Sequence, residues 1–288
     1  AMSTSVDAAD QNQRFRGLKG LAIVSGASQG IGRATAKHLA ENQPKWVIVL
    51  AIRPTNDPAR AAKIAKKLSD ETKNPNVVGE HVDVSDWKSV QRFSTSVRGY
   101  KLPVLALINV AGECPQKRTV RNGVEVQFGT NVLGYHFMMR AFEDMLKQEP
   151  VGRIVNVASD WAGDLDLSDV QFRKREYDND TAYRQSKQCN RMLTVMWSER
   201  LADSKMLVNA CHPGDPCTKL SCSLGYNTYA SKDCSGCTCP FWLATSTELK
   251  VSGKYFGEQH SETPCKFAGN SFAAKRQKLF ELCERFCK

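Results

Sequence analysis

The sequence predicts an α/β fold: one Rossmann-type domain, a doubly wound seven-stranded parallel sheet with helices on both faces. Three observations lead there. Short, continuously apolar segments recur along the 288 residues, the pattern of strands buried on both faces. Stretches of helical period separate them, so successive strands are joined by crossovers and run parallel. A glycine-rich turn joins the first strand to the first helix, where a fold of this class builds its ligand crevice.

Taken in order, LAIVSGA (21–27) is the first strand and about 30–42 the first helix. WVIVLAI (46–52) is the second strand, and about 57–70 is helical. VVGEHVDV (77–84) and VLALINVA (104–111) are strands three and four, with a helix over about 85–99 between them. The pattern predicts one long helix over about 122–148. GRIVNVAS (152–159) is the fifth strand, about 181–203 a helix, MLVNACHPG (206–214) the sixth strand and SGKYF (252–256) the seventh. Residues 1–17 read as a flexible N-terminal segment and 18–288 as the domain. Two stretches break the rhythm: the Asp-rich 160–180 and the Cys-rich 215–250, the latter read as a substrate loop.

Composition narrows the classes of function. The formal charge is +10, yet the basic residues are scattered with no run of five, so a nucleic-acid partner is not expected. No apolar run approaches the ~18 residues of a membrane span, and no secretory signal opens the chain. No stable membrane insertion is expected; the setting is cytoplasmic, the protein a monomer or homo-oligomer. Eleven cysteines without a signal peptide read as free thiols in a reducing compartment. Cys234-x-x-Cys237-x-Cys239, with Cys217 and Cys222 upstream, invites a zinc reading, but a second C-x-x-C is missing, and no metal is expected.

The turn SGASQGIGRATA (25–36) carries Gly26, Gly30 and Gly32, with Ser28, Gln29, Ile31 and Arg33 between and after them. Glycine lets backbone approach a pyrophosphate closely, and the following helix N-terminus offers N–H donors and positive potential. An NAD-binding chain usually has an acid at the end of the second strand for the ribose 2′-hydroxyl. Here the residues are Ala51-Ile52-Arg53-Pro54. Arg53 suits a 2′-phosphate, with Arg33 closing on it from the other side; two plain surface arginines are the alternative. The expected cofactor is NADP(H).

Tyr183 and Lys187 in TAYRQSKQCN (181–190) are four apart, on one face of a helix. A cation there is expected to favour phenolate and bring the tyrosine toward useful acid–base chemistry. Ser159 closes the fifth strand, where its hydroxyl points into the crevice and can bind a substrate oxygen.

In order, GASQGIG, INVAG (108–112), Asn131, Ser159, Tyr183-x-x-x-Lys187 and HPG (212–214) resemble the short-chain dehydrogenases/reductases over about residues 18–256. Arg53, the acidic insert before the tyrosine, Y-x-x-S-K-x-x-N (183–190) and SGKYF resemble the retinol dehydrogenase-like branch, which includes plant protochlorophyllide reductases. The resemblance implies hydride transfer between nicotinamide and a small-molecule carbonyl or alcohol. Asn131, Ser159, Tyr183 and Lys187 are then catalytic, with Asn131 supporting a water chain to Lys187. It further implies that Asp83 and Val84 contact adenine and that Asn109, Ala111 and Gly112 line the adenine ribose. Lys187 binds the nicotinamide ribose, and Pro213, Gly214 and Thr218 hold the nicotinamide. Val110, where the family usually has Asn, and Pro216-Cys217 depart from the pattern. Trp161, Leu224, Tyr226, Tyr229, Phe241 and Trp242 either line a lipophilic pocket or form the inner face of a covering helix. A catalytically idle NADP(H)-binding sensor is the alternative function.

Overall fold

In the computed structural model, which describes residues 15–147, 152–225, 234–235 and 237–288, the apolar runs form the strands of one sheet. These are β1 (Gly20–Ser25), β2 (Trp46–Ile52), β3 (Val77–His81) and β4 (Val104–Asn109), then, after a separate hairpin of β5 (Val120–Arg121) and β6 (Val124–Glu125), β7 (Arg153–Val157), β8 (Leu207–Cys211), β9 (Tyr255–Phe256) and β10 (Glu262–Thr263). The sheet order is β3-β2-β1-β4-β7-β8-β9-β10. Seven strands are parallel; β10 adds an antiparallel edge against β9, so the sheet has eight strands rather than seven. Gly257 N–H donates to Ser261 O at the tight return that makes this possible.

Helices α1 (Gly30–Asn42), α2 (Arg60–Thr72), α3 (Trp87–Arg98), α4 (Gly134–Lys147) and α5 (Asn179–Arg200) cover the faces. Two short helices follow, α6 (Lys219–Ser223) and α7 (Cys239–Thr245), and α8 (Ala273–Glu284) ends the chain. Two cores result. One lies under α3, α4 and α5 and includes Phe142, Trp197 and Leu279; the other lies under α1, α2 and α7 and includes Leu39, Leu68 and Leu243. Among the described residues no helix is long and apolar enough to cross a membrane.

Three expectations are corrected. The long helix over 122–148 is really a hairpin, a π-helical turn (Phe128–Leu133) and then α4. Asn122 and Gly123 adopt φ 52° and 77°, the left-handed pair of a tight hairpin turn, and Asn-Gly is its usual signal. The Glu125 carboxylate then accepts from Gln127 N and Phe128 N at 2.9 and 2.8 Å, starting the helix where the hairpin ends. Residues 1–14 lie outside the described residues, but Phe15, assigned to a flexible segment, is 3% exposed and packs edge-on against Tyr100. Nor is 215–250 one loop: α7 is a core element, with Leu243 1% exposed.

The helix α8, absent from the sequence reading, is tied down by a polar chain. Trp197 Nε1 donates to His136 Nδ1 at 3.3 Å, and His136 Nε2 contacts Glu284 Oε1 at 2.9 Å. The indole N–H fixes the imidazole tautomer, so Nε2 carries the proton and donates to the carboxylate. Burial lowers the His136 pKa.

Candidate active site

The strand order reverses at β1, which lies between β2 and β4. A crevice therefore opens at the carboxyl ends of β1 and β4. Gly26 and Gly30 adopt φ 67° and 57°, a region glycine enters without strain. A Cβ on Gly26 would lie 2.8 Å from Ala111 Cα, and one on Gly32 only 2.4 Å from Gly26 O. The turn is thus pressed between β4 and α1 too tightly for any side chain at either position. Ser25 Oγ accepts from Val110 N and Ala111 N at 2.9 and 3.2 Å and fixes the β4 end to β1.

These residues fit a dinucleotide. The Gln29 side chain makes no capping bond to α1, so the first-turn N–H groups stay available to an anion. Ser28, Gln29 and Ile31 line the turn between the glycines. Asn109, fully buried, donates Nδ2 to Asn156 Oδ1 at 2.9 Å while its own Oδ1 has no partner. Asp83 Oδ1 accepts from Ser85 N and Oγ, with Val84 buried beside it. Gly214, at φ 93°, follows Pro213 after β8, and Thr218 caps α6.

The two arginines part company. Arg53 stands half-exposed at the end of β2 and pairs with Glu113. Glu113 also receives Arg121 at 2.7 and 3.1 Å and Thr130 Oγ1 at 3.2 Å; the paired cations hold its carboxyl below the usual range despite burial. Arg33 is turned onto α2, paired with Glu71 beside Lys37, so the expected approach from that side is not what this arrangement shows. Glu113 was missed in the sequence; only the folded sheet, in which β2 and β4 flank β1, brings the stretch after β4 across to Arg53.

The acid–base residues gather at the end of β7. Helix α5 starts with Asp178 accepting from Thr181 N at 2.7 Å, a cap that contributes about 1 kcal/mol. One face then carries Tyr183 and Lys187 inward, 8% and 3% exposed, beside Ser159 at 8%. The Ser159 hydroxyl lies beside the Tyr183 phenol, whose pKa it lowers against the larger opposing effect of burial, and its Oγ accepts from Trp161 N at 3.2 Å. Lys187 Nζ donates to Val157 O at 2.9 Å and lies 5.5 Å from the Tyr183 ring centroid. The expected lowering of the phenol by the ammonium is overturned here: burial raises the Tyr183 pKa and pushes Lys187 down to about 8. A dry site penalises both charged forms, and at this separation the attraction does not offset that.

Asn131 sits in the π-helical turn. Its side chain bonds the backbone N and O of Glu113 at 2.8 and 3.0 Å and Ser186 Oγ at 3.2 Å, while Asn190 Nδ2 donates to its carbonyl at 2.6 Å. It is one buried bond away from α5 and does not itself meet Lys187.

Residues the sequence reading passed over complete the site. Arg191, 8% exposed, donates to Ser159 O at 2.5 Å and to Asp160 Oδ1 at 3.2 Å, with its guanidinium carbon 3.5 Å from the Tyr255 ring centre. Tyr255 O–H donates to the same Asp160 oxygen at 2.6 Å. Arg191 follows the Y-x-x-S-K-x-x-N stretch directly and lies four residues after Lys187, a spacing that was readable. Of the apolar candidates, Phe241 packs on His38 and Trp242 stacks on His260, the inner face of a covering helix. Trp161 is 41% exposed. Tyr226 and Tyr229 lie outside the described residues. No disulfide joins the described cysteines.

The short chain dehydrogenase family model matches residues 20–226. Retinol dehydrogenase 13 of Mus musculus is 34% identical over 276 residues, spanning 88% of this chain and 80% of its own. Retinol dehydrogenase 12 of the same species is 29% identical over 90% of this chain and 82% of its own, and polyprenol dehydrogenase of Homo sapiens 28% over 92% and 84%. Among solved structures, an uncharacterized protein from Mycobacterium Paratuberculosis superposes with TM-score 0.73 at 24% identity, over 94% of each chain. An NADPH-bound carbonyl reductase from chicken fatty liver gives 0.65 at 24%, over 86% of this chain and 99% of that one; both share the fold. With that fold, the glycine turn and the Ser159–Tyr183–Lys187 geometry on one side and these likenesses on the other, the chain belongs to the short-chain dehydrogenase/reductase family, in its retinol dehydrogenase-like branch.

Proposed function

We propose that this oxidoreductase of CH–OH and C=O groups uses NADP(H) and acts on a small lipophilic alcohol or carbonyl compound. The observation that carries the reading is the joint burial of Ser159, Tyr183 and Lys187 beside the crevice. The names of the relatives, retinol and polyprenol dehydrogenases, favour a lipophilic alcohol.

Gly26, Ser28, Gln29, Gly30, Ile31 and Gly32 would hold the pyrophosphate and Arg53 the 2′-phosphate. Asp83, Val84, Asn109, Ala111 and Gly112 would hold the adenosine side, and Lys187, Pro213, Gly214 and Thr218 the nicotinamide side. The coenzyme supplies or accepts the hydride. In reduction, Tyr183, kept protonated by burial, donates its proton to the substrate oxygen. Ser159 donates a hydrogen bond to the same oxygen and orients the carbonyl, a positioning effect. Arg191 pins the Ser159 carbonyl and keeps that hydroxyl aimed. In oxidation the same atoms work in reverse.

Turnover of NADPH with a panel of apolar aldehydes and ketones tests this. Tyr183→Phe is expected to bind NADPH as the wild type does and to lose turnover by a factor of about 10² or more. Wild-type kcat in Tyr183→Phe would end the assignment.

A further inference from the structure

Residues 216–225, which follow β8 and include α6, lie across the mouth of the crevice. Thr218 Cγ2 comes within 3.5 Å of where a Cβ on Gly30 would be, and Leu220 Cδ1 within 3.2 Å of one on Gly112. The far end of α6 is tied to the opposite wall, where Ser223 O accepts from Asn179 Nδ2 at 3.0 Å and from Gln116 Nε2. The α6 turn is closed on itself. Thr218 Oγ1 accepts from Ser221 N at 3.1 Å, and Ser221 Oγ accepts from Thr218 N at 2.7 Å. Cys217 and Cys222 stand immediately outside this box, with their sulfurs 3.8 Å apart. The box therefore sets where Thr218 stands beside the Gly30 turn.

We propose that Cys217 and Cys222 form a peroxide-sensitive dithiol whose disulfide distorts the α6 turn that carries Thr218 and so weakens coenzyme binding. The sulfurs need to close from 3.8 Å to about 2.05 Å. The reaction balances with hydrogen peroxide as oxidant. One thiol deprotonates and its sulfur attacks a peroxide oxygen, giving a sulfenic acid and hydroxide; the second sulfur displaces the sulfenic hydroxyl. Two thiols lose two electrons, the peroxide gains them, and two waters leave. Cys222 also stands out by access. Cys222 is exposed and Cys217 half-buried, whereas Cys114, Cys189, Cys211 and Cys283 are buried. The Cys222 thiol is raised by its hydrogen bond with Cys217, whereas for Cys114, pushed up to about 12, and for Cys189, Cys211 and Cys283 the cause is burial, which also hides the sulfur from an oxidant.

The effect on coenzyme rests on the proposed NADP(H) site; the disulfide itself does not. The test treats the full chain with hydrogen peroxide, maps cross-linked peptides by mass, and titrates NADPH by nicotinamide fluorescence before and after. A Cys217–Cys222 cross-link is expected, with NADPH affinity about tenfold weaker and restored by dithiothreitol. Cys222→Ser is expected to bind NADPH normally and to show no peroxide effect. Peroxide that oxidises Cys222 without cross-linking it to Cys217 overturns the dithiol, and a verified cross-link with unchanged affinity overturns its effect on the coenzyme. If the reduced protein binds no NADPH, the coenzyme reading fails instead, and peptide mapping still decides the dithiol.

Discussion

Coenzyme choice rests on a competition at Arg53. In the structure its guanidinium pairs with Glu113, and Arg53 is half-exposed. Giving up an exposed ion pair costs about 0–1 kcal/mol. Glu113 is not orphaned by the loss, because Arg121 and Thr130 stay on it. A 2′-phosphate would offer Arg53 two charge-assisted hydrogen bonds at about 1.5–3 kcal/mol each. After loss of the ion pair and desolvation of the phosphate, a preference for NADPH over NADH of about tenfold to a few hundredfold in Kd is expected. Arg53→Asp should abolish that preference and leave NADH binding similar or better. Glu113→Gln releases Arg53 and removes a negative charge near the phosphate, so NADPH should tighten by up to about fivefold, the equivalent of ~1 kcal/mol, with NADH unchanged. Fluorescence titration of both coenzymes against the three proteins checks all of this. Equal wild-type affinities for NADPH and NADH would take Arg53 out of the site and refute the reasoning.

Two further perturbations follow from the same geometry. Lys187 ionises near 8 when folded against 10.5 when free, so between these values the unfolded chain holds the proton and the native one does not, and stability rises with pH across that window. Below pH 8 the buried ammonium costs about 3 kcal/mol; Lys187→Met, which leaves Tyr135 O–H on Val157 O, should therefore be inactive yet more stable at pH 7, with the gap shrinking from pH 8 to 10.5 in urea melts of the coenzyme-free protein. Arg191→Met keeps an apolar group against Tyr255 but frees Ser159 O, so kcat should fall about tenfold or more while the NADPH Kd holds and Arg191→Lys recovers part of the loss; unchanged kcat in Arg191→Met would remove Arg191 from any positioning role.

The sequence by itself determined the elements whose cause is local. Continuous apolar runs announced the buried parallel strands, because a strand covered on both faces has no polar alternation to show. The glycine turn was legible because only glycine tolerates the backbone angles and the contact with Ala111 found there. Tyr183 and Lys187 were legible because helical spacing alone puts them on one face. The Asn122–Gly123 hairpin was equally local, and its signal was present but outweighed by the helical period that follows. Tertiary structure decided what depends on distant partners. The antiparallel β10 adds a strand because β9 presents an open edge, which no period encodes. Arg53 meets Glu113, and Arg33 meets Glu71, through contacts 60 and 38 residues apart. The protonation of Tyr183 and Lys187 is set by the same physics. Their spacing suggested a cation steering a phenol, but the site is dry, and desolvation of each group outweighs an attraction spread over several ångströms. Burial is a property of the assembled fold, and a pair of letters four apart does not contain it.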